Sequence, residues 1–251
     1  SNRGGCERER GVSEMVGFVL SFSMILLMVG ILFTSGFSTL NDYQSRQQTE
    51  NAEQVFLAVA DGFGELQEGQ APKRAGSLDL DVGASLTIRD TADITVAVHG
   101  PGFQETYDTR SLEYRYQGTT IAYENGAVLR GQEAGSVMVG TPPDIHCSND
   151  TNVAYVSVVE LVSVSNTSVG GGTVTITGVK QSTELRYPQS RTAPSIDNVT
   201  VEVDSRYVEA WNQRFGSSDT NWVETDPGIF ACESATRAYV RHTIVEVRIV
   251  H

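Results

Sequence analysis

The first part of the chain combines a long uncharged stretch with a helical repeat that follows it. Residues from Met15 to Leu40 carry no charge over 26 positions. As a helix, this stretch measures about 39 Å, which exceeds the ~30 Å hydrocarbon thickness of a bilayer. Beyond it, apolar residues recur at intervals of three or four, at Ala52, Val55, Phe56, Val59, Phe63 and Leu66. The pattern predicts one continuous helix from about Val12 to Leu66, with a membrane-spanning part and an amphipathic part.

From Ser77 onward, apolar and polar residues alternate, which is typical of half-buried strands. Asn125-Gly126 is the strongest hairpin signal between two such strands. The valine-rich run Val153–Val164 predicts a central strand, and Thr173–Thr177 predicts the strand that pairs with it.

Near the end of the sequence, Ser205 is predicted to cap a short helix at Arg206–Phe215, which ends at Gly216. Tyr239–Val250 predicts a final long strand. About nine strands joined by turns indicate an α+β protein, whose sandwich or antiparallel sheet packs on the helix extension.

These elements divide the chain into four segments. They are a charged leader at 1–11, a transmembrane and amphipathic helix at 12–68, a connector at 69–76 and a β-rich domain at 77–251. We expect the β-rich domain to fold without the helix.

Basic residues are distributed unevenly around the apolar stretch. Arg3, Arg8 and Arg10 precede it, whereas only Arg46 lies within a few turns after it. Because basic residues are retained on the cytoplasmic side, this asymmetry predicts a single-pass protein with a cytoplasmic N-terminus. The β-rich domain is then extracellular.

The residues around the start of the helix carry a recognisable motif. A charged leader ends in Arg10-Gly11 and is followed directly by Val12-Ser13, Gly17 and the apolar run. This arrangement resembles the class III signal of archaeal type IV pilins. The resemblance implies that a prepilin peptidase cuts between Gly11 and Val12, so that the helix stays on the mature protein.

The composition adds a strongly acidic balance. The formal net charge is −13, and only Lys73 and Lys180 among the eighteen basic residues are lysines. Nucleic acid is not an expected partner, because phosphate binding needs a cationic surface. Scarce lysine with abundant Asp and Glu resembles proteins of salt-loving archaea, and an ordinary acidic secreted domain is the alternative. Gln70–Arg74 and Tyr123–Val128 are likewise similar to pilin-like surface proteins of haloarchaea.

Cleavage after Gly11 would leave a new amino group on Val12, one turn from Glu14. In a filament of packed helices, Glu14 would neutralise the amino group of a neighbouring subunit in a low-dielectric environment. The alternative is a solvated carboxylate at the cytoplasmic interface. Small residues at four-residue spacing favour close helix packing. The residues assigned to assembly are Glu14, Gly17, Ser21, Gly30 and Thr34.

Two cysteines and three sequons fall in the predicted extracellular domain. A disulfide between Cys147 and Cys232 would suit an oxidising exterior, and two buried free thiols are the alternative. Asn149, Asn166 and Asn198 begin Asn-X-Ser/Thr motifs and are candidate glycosylation sites.

The sequence offers no convergent set of catalytic groups. The histidines are scattered without metal-ligand spacing, at His99, His146, His242 and His251. The glycine run Gly170–Gly172 precedes neither a lysine nor a helix, so it does not match a phosphate-binding loop. We expect no enzyme activity, no cofactor and no metal.

The sequence favours a type IV pilin-like or pseudopilin-like structural subunit, packed by its N-terminal helix into a membrane-associated filament or assembly. Its expected partners are the lipid bilayer, the prepilin peptidase, and further copies of itself or other pilin-like subunits. One alternative is a bitopic, adhesin-like surface protein that does not polymerise. Another is a surface hydrolase or binding protein with an unrecognised site.

Overall fold

A computed structural model describes residues 8–163, 168–189, 194–217 and 220–250. It contains an N-terminal apolar helix and a β-rich domain of several sheets, which confirms the α+β class. The helices are α1 (Arg8–Glu68) and α2 (Val208–Phe215). The strands are β1 (Lys73–Leu80), β2 (Ser85–Arg89), β3 (Ala92–Val98), β4 (Phe103–Asp108), β5 (Ser111–Tyr116), β6 (Thr119–Glu124), β7 (Ala127–Gln132), β8 (Gly135–Val139), β9 (Ile145–Ser148), β10 (Val153–Ser163), β11 (Gly172–Tyr187), β12 (Val199–Ser205), β13 (Val223–Asp226), β14 (Ile229–Cys232) and β15 (Arg237–Val250).

Helix α1 is 61 residues long and is continuous through the apolar stretch. It ends at Glu68, where Gly69 adopts a positive φ of 78° and donates its N–H to the carbonyl oxygen of Leu66. Among the described residues, only Met15–Phe33 is long and apolar enough to cross a membrane by length and composition. Each large apolar side chain of this segment is at least 52% exposed.

The described strands form three five-stranded sheets. Sheet A has the order β1-β11-β15-β10-β9, sheet B has the order β2-β5-β6-β7-β8, and sheet C has the order β13-β14-β12-β3-β4. The fifteen strands exceed the nine predicted, because strands as short as the four residues of β9 and β14 give no visible alternation.

The pairing in sheet A differs from the prediction. Strand β15 lies between β10 and β11, so the predicted direct pairing of Val153–Val164 with Thr173–Thr177 is wrong. Strand β10 pairs with β15 in parallel, so the sheet is mixed and not purely antiparallel. Both faces of β10 are buried, with Val158 in one core and Val159 in the other, which explains the unbroken valine-rich run.

The chain separates into two compact units, Ser1–Gln47 and Gln48–His251. The second unit therefore includes the last part of α1, residues 48–68, and does not begin at the predicted Ser77. This part of α1 buries one stripe of side chains, each at most 5% exposed: Thr49, Ala52, Phe56, Val59, Phe63 and Leu66. Independent folding of 77–251 is not expected from this structure, because the stripe is part of a core. The predicted connector 69–76 is also shorter, since β1 begins at Lys73.

Two glycines of sheet A allow α1 to approach closely. A Cβ atom at Gly178 would overlap the ring of Phe63, and a Cβ atom at Gly76 would lie 3.3 Å from a methyl group of Val59. The Phe63 ring also meets the ring of Tyr123 in sheet B edge to face, with the centroids 5.1 Å apart. Sheets A and B and the helix thus share one core.

The predicted hairpin at Asn125-Gly126 is confirmed, and it joins β6 to β7. Asn125 at its tip is buried, and Asn125 Oδ1 accepts a hydrogen bond from the backbone N–H of Val159 at 2.7 Å. The neighbouring N–H groups of Ser157 and Leu161 donate to the carbonyl oxygens of Asp144 and Thr109. These bonds satisfy the backbone N–H groups on the edge of β10 that lie beyond its pairing with β9.

Helix α2 begins later than predicted, at Val208, with Tyr207 at its N-cap position and no side-chain cap. Ser205 does not cap the helix, because it is the last residue of β12 and its hydroxyl donates to Glu124 Oε2 at 3.0 Å. The same hydroxyl oxygen accepts the N–H of Tyr207.

We predict that Phe63→Ala lowers the free energy of unfolding of the second unit by about 3–5 kcal/mol, because it empties a fully enclosed site. The measurement is chemical denaturation of the full chain in an uncharged detergent, followed by the fluorescence of the buried Trp211 and Trp222. Phe33→Ala is the matched control, since this ring is 65% exposed. Equal stability of the two variants would contradict the packing role of Phe63.

Candidate functional site

The apolar segment of α1 is the first candidate site. Gly17, Ser21 and Gly30 lie on this segment in exposed positions. The side chain of Thr34 and those of the processing and assembly residues Arg10, Gly11, Val12 and Glu14 lie outside the side chains that the structure describes. Residues 1–7 of the predicted leader lie outside the described residues. The assignments to processing and assembly therefore remain predictions.

A cleft of about 660 Å³ lies within the second unit, beside the last turns of α1. We call it the helix-end cleft. One wall is formed by helix residues that include Leu57, Gly64 and Glu68. The other wall is formed by the loop at 141–144 and by His146.

Arg241 of β15 organises the polar groups of the helix-end cleft. Its Nη2 donates to Asp144 Oδ2 at 3.0 Å and its Nε donates to Ser157 Oγ at 3.2 Å. The guanidinium lies over the ring of Tyr155, 5.4 Å from the centroid. The hydroxyl of Ser157 in turn donates to Gln67 Oε1 of α1 at 2.6 Å. This network connects the end of the helix to sheet A.

Ser157 and His146 are both held by polar contacts in this network. Ser157 donates its proton to the amide oxygen of Gln67 and not to the carboxylate of Asp144. His146 Nε2 lies 3.0 Å from Asp144 Oδ1, and its side chain is 63% exposed. The residue after it, Cys147, is buried on the opposite face of β9, so the two side chains do not form a dyad.

Cys147 and Cys232 form a disulfide, with their Cα atoms 5.7 Å apart. The bond joins β9 at the edge of sheet A to β14 in sheet C, and both cysteines are buried. It therefore links two sheets that hydrogen bonds between strands do not connect.

The three sequons differ in their surroundings. Asn149 is exposed, and its amide Nδ2 donates to Asn221 Oδ1 at 2.8 Å. Asn198 is half-buried next to β12. Asn166 lies outside the described residues.

The histidines are held in separate pairs. His99 Nε2 lies 3.0 Å from the hydroxyl of Thr200, and His242 Nε2 lies 3.0 Å from Glu160 Oε2. His251 lies outside the described residues. Within the described ranges, no group of three or more His, Cys, Asp or Glu side chains is placed to hold a metal ion.

Two fully buried carboxylates, Glu113 and Glu124, lie between sheet B and the β12–α2 segment, and the sequence analysis missed both. Glu124 Oε1 accepts the indole N–H of Trp211 at 2.9 Å, and Oε2 accepts the hydroxyl of Ser205. Burial raises the pKa of Glu124 to about 7, and the two hydrogen bonds oppose that shift while the nearby Glu113 adds to it. No sequence signal separates these carboxylates from exposed ones on other strands.

Comparison with known proteins gives one match. The model of a family of unknown function, DUF7289, matches residues 10–249. A search of curated proteins finds no match. A search of solved structures finds none either.

We predict that Glu124 makes the domain less stable as the pH rises through about 7. The pKa is raised on folding from 4.5, so the native state holds this proton more tightly than the unfolded state. The stabilisation is complete below about pH 4.5 and is lost as the pH rises through the native pKa. A shift of this size corresponds to about 3 kcal/mol.

The test compares the free energy of unfolding of Glu124→Gln with that of the native chain between pH 4.5 and pH 8. The variant should gain stability relative to the native chain by about 3 kcal/mol over this range. Glu202→Gln on the exposed face of β12 is the matched control. A difference between Glu124→Gln and the native chain that does not change with pH would refute the prediction.

Proposed function

The chain belongs to the DUF7289 family, and we propose that it is a type IV pilin-like structural subunit of the cell surface. The observation that supports this proposal is the composition of α1. The helix carries an exposed apolar segment at Met15–Phe33, and its residues 48–68 are built into the core of the folded domain. A single helix would thus supply both an anchoring segment and part of the domain.

The apolar segment of α1 needs a partner. Fifteen large apolar side chains between Met15 and Phe33 are more than half exposed. These side chains are 52–71% exposed. At about 1.5–3 kcal/mol for a fully exposed side chain, their hydration costs roughly 13–27 kcal/mol. Lipid or other apolar helices can remove this cost. We propose that the segment spans the membrane before assembly and packs against other subunits afterwards.

We further propose a cytoplasmic N-terminus and an extracellular domain. Arg3, Arg8 and Arg10 precede the apolar segment and support this orientation. The disulfide between β9 and β14 is consistent with an oxidising exterior, where such bonds persist. Under this orientation Asn149, which is exposed, is the better glycosylation candidate of the two described sequons.

Processing by a prepilin peptidase separates the pilin-like proposal from a plain membrane anchor. The motif Arg10-Gly11 directly before the apolar helix supports this processing. The packing partners would be other copies of the chain or other pilin-like subunits, held by Gly17, Ser21 and Gly30 on the helix surface. A bitopic surface protein that never assembles would need no such cut.

We predict that the mature protein begins at Val12. Intact-mass measurement of the membrane-extracted native chain should show loss of the residues up to Gly11. Gly11→Val should block this cleavage, because the peptidase cuts after a small residue. Gly5→Val should leave it unchanged, since Gly5 lies in the leader away from the cut. A native protein that retains its leader would remove the main support for pilin-like processing.

We predict that Glu14→Ala inserts into the membrane normally but is lost from filaments. In an assembled filament, its removal would leave the amino group of a neighbouring Val12 without a counter-charge, at a cost of about 3–5 kcal/mol. For a plain anchor the same change would have little effect, because an interfacial carboxylate contributes little. The measurement is the amount of the variant in membranes and in sheared filaments.

Glu50→Ala is the matched control for Glu14→Ala, since Glu50 is an exposed carboxylate on the same helix. It should enter filaments at the native level. Native levels of Glu14→Ala in filaments would refute the pairing role. If even the native chain is absent from filaments, the result favours the adhesin-like anchor.

A further inference from the structure

Three arginines converge on one buried carboxylate on a face of sheet B. Arg89 Nε lies 3.2 Å and Arg115 Nη2 lies 2.7 Å from Glu113 Oε2, and Arg206 Nη1 lies 3.5 Å from Glu113 Oε1. We call these three side chains the arginine cluster. They come from β2, from β5 and from the turn before α2, so only the folded chain brings them together.

The buried carboxylate does not need three cations. Glu113 Oε1 also accepts the hydroxyl of Tyr207 at 2.9 Å and the hydroxyl of Ser111 at 3.3 Å. Its side chain is completely buried, whereas the side chains of the arginine cluster are 34–47% exposed. One negative charge therefore faces three positive charges, and the two excess charges lie at the surface.

This excess is unusual for the described part of the chain. Arg110 pairs with two carboxylates, Asp90 and Asp108, and Arg186 pairs with Glu105 and Glu184. In the described part of the chain, each arginine of the cluster pairs with Glu113 and with no other carboxylate. Since the chain has a net charge of −13, a local excess of positive charge is not a general property of its surface.

We propose that the arginine cluster binds a tetrahedral oxyanion of charge −2, a phosphate or a sulfate. A guanidinium carries five N–H groups in a planar fork. Nη2 of Arg115 is buried against Glu113, and the N–H groups of the cluster that face the surface are the donors for an anion. Glu113 contacts both Nε and Nη2 of Arg115. Cζ of Arg206 lies over the ring of Tyr207, 5.6 Å from its centroid. The donors are thus positioned before the anion arrives, which favours binding.

Two sources share this chemistry. One is free inorganic phosphate or sulfate, and the other is a phosphate or sulfate ester on an anionic polymer at the cell surface. The excess charge of +2 matches one free ion or phosphate monoester of charge −2, or two neighbouring sulfate esters of charge −1 each. One polymer molecule would bind several copies of the protein at once, whereas a free ion would bind to and stabilise the folded state of one copy.

The test follows thermal unfolding of the full chain in an uncharged detergent. Sodium phosphate, sodium sulfate and sulfated dextran are titrated separately, and sodium chloride keeps the ionic strength constant. The unfolding midpoint of the native chain should rise in a saturable way with at least one of these anions. Arg206→Gln should weaken the apparent affinity about tenfold, since it removes a charge-assisted donor.

Matched variants separate this site from a general salt effect. Arg110→Gln removes an arginine that is already paired, so its response should equal that of the native chain. If Arg206→Gln does not fold, Arg89→Gln removes another arginine of the cluster and should also weaken the apparent affinity for the anion. A saturable rise of the unfolding midpoint with phosphate or sulfate alone identifies a free ion as the ligand. A saturable rise with sulfated dextran identifies an anionic polymer.

Either of two results would overturn the proposal. One is that phosphate, sulfate and dextran sulfate act no more strongly than chloride, or act equally on Arg206→Gln and Arg110→Gln. The other is a self-association of the native chain that Arg206→Gln abolishes while no anion binds. That second result would assign the arginine cluster to the acidic surface of another copy.

Discussion

The stripe of apolar side chains on residues 48–68 of α1 is the feature on which the rest of the domain depends. Phe56, Phe63 and Leu66 are almost completely buried between sheets A and B. Gly178 of β11 has no Cβ atom, and a Cβ atom at this position would overlap the Phe63 ring. The strand therefore has a glycine where the helix side chain comes closest. Without this stripe, the facing sides of two sheets would be exposed to water, at a cost proportional to their apolar area.

The elements predicted from sequence are those with a strong local signal. The end of α1 at Glu68, the hairpin at Asn125-Gly126 and the valine-rich strand β10 all follow from periodicity or turn chemistry. The strand order could not be predicted from such local signals, because β15 pairs with β10 through residues about eighty positions apart in the sequence. The predicted boundary at Ser77 leaves residues 48–68 out of the domain. A helical period shows that one face of a helix is buried without showing what covers it.

The polar sites were harder to predict than the fold. Gln67, Ser157 and Arg241 lie far apart in sequence and meet only where the end of α1 reaches sheet A. Glu113 and Glu124 resemble ordinary solvated carboxylates of alternating strands, and only the position of α2 buries them. By contrast, the apolar segment Met15–Phe33 was evident from its composition alone, and the proposed function rests on it.

Native-state hydrogen exchange of the full chain, resolved by residue, tests most directly whether the proposed anchor helix is a structural part of the domain. The amides of residues 56–66 should exchange only through global unfolding, with the same free energy of opening as those in β10 and β15. A markedly lower free energy for residues 56–66, with the strands still protected, would show that the helix only rests on the domain. That result would contradict the shared core of α1 with sheets A and B.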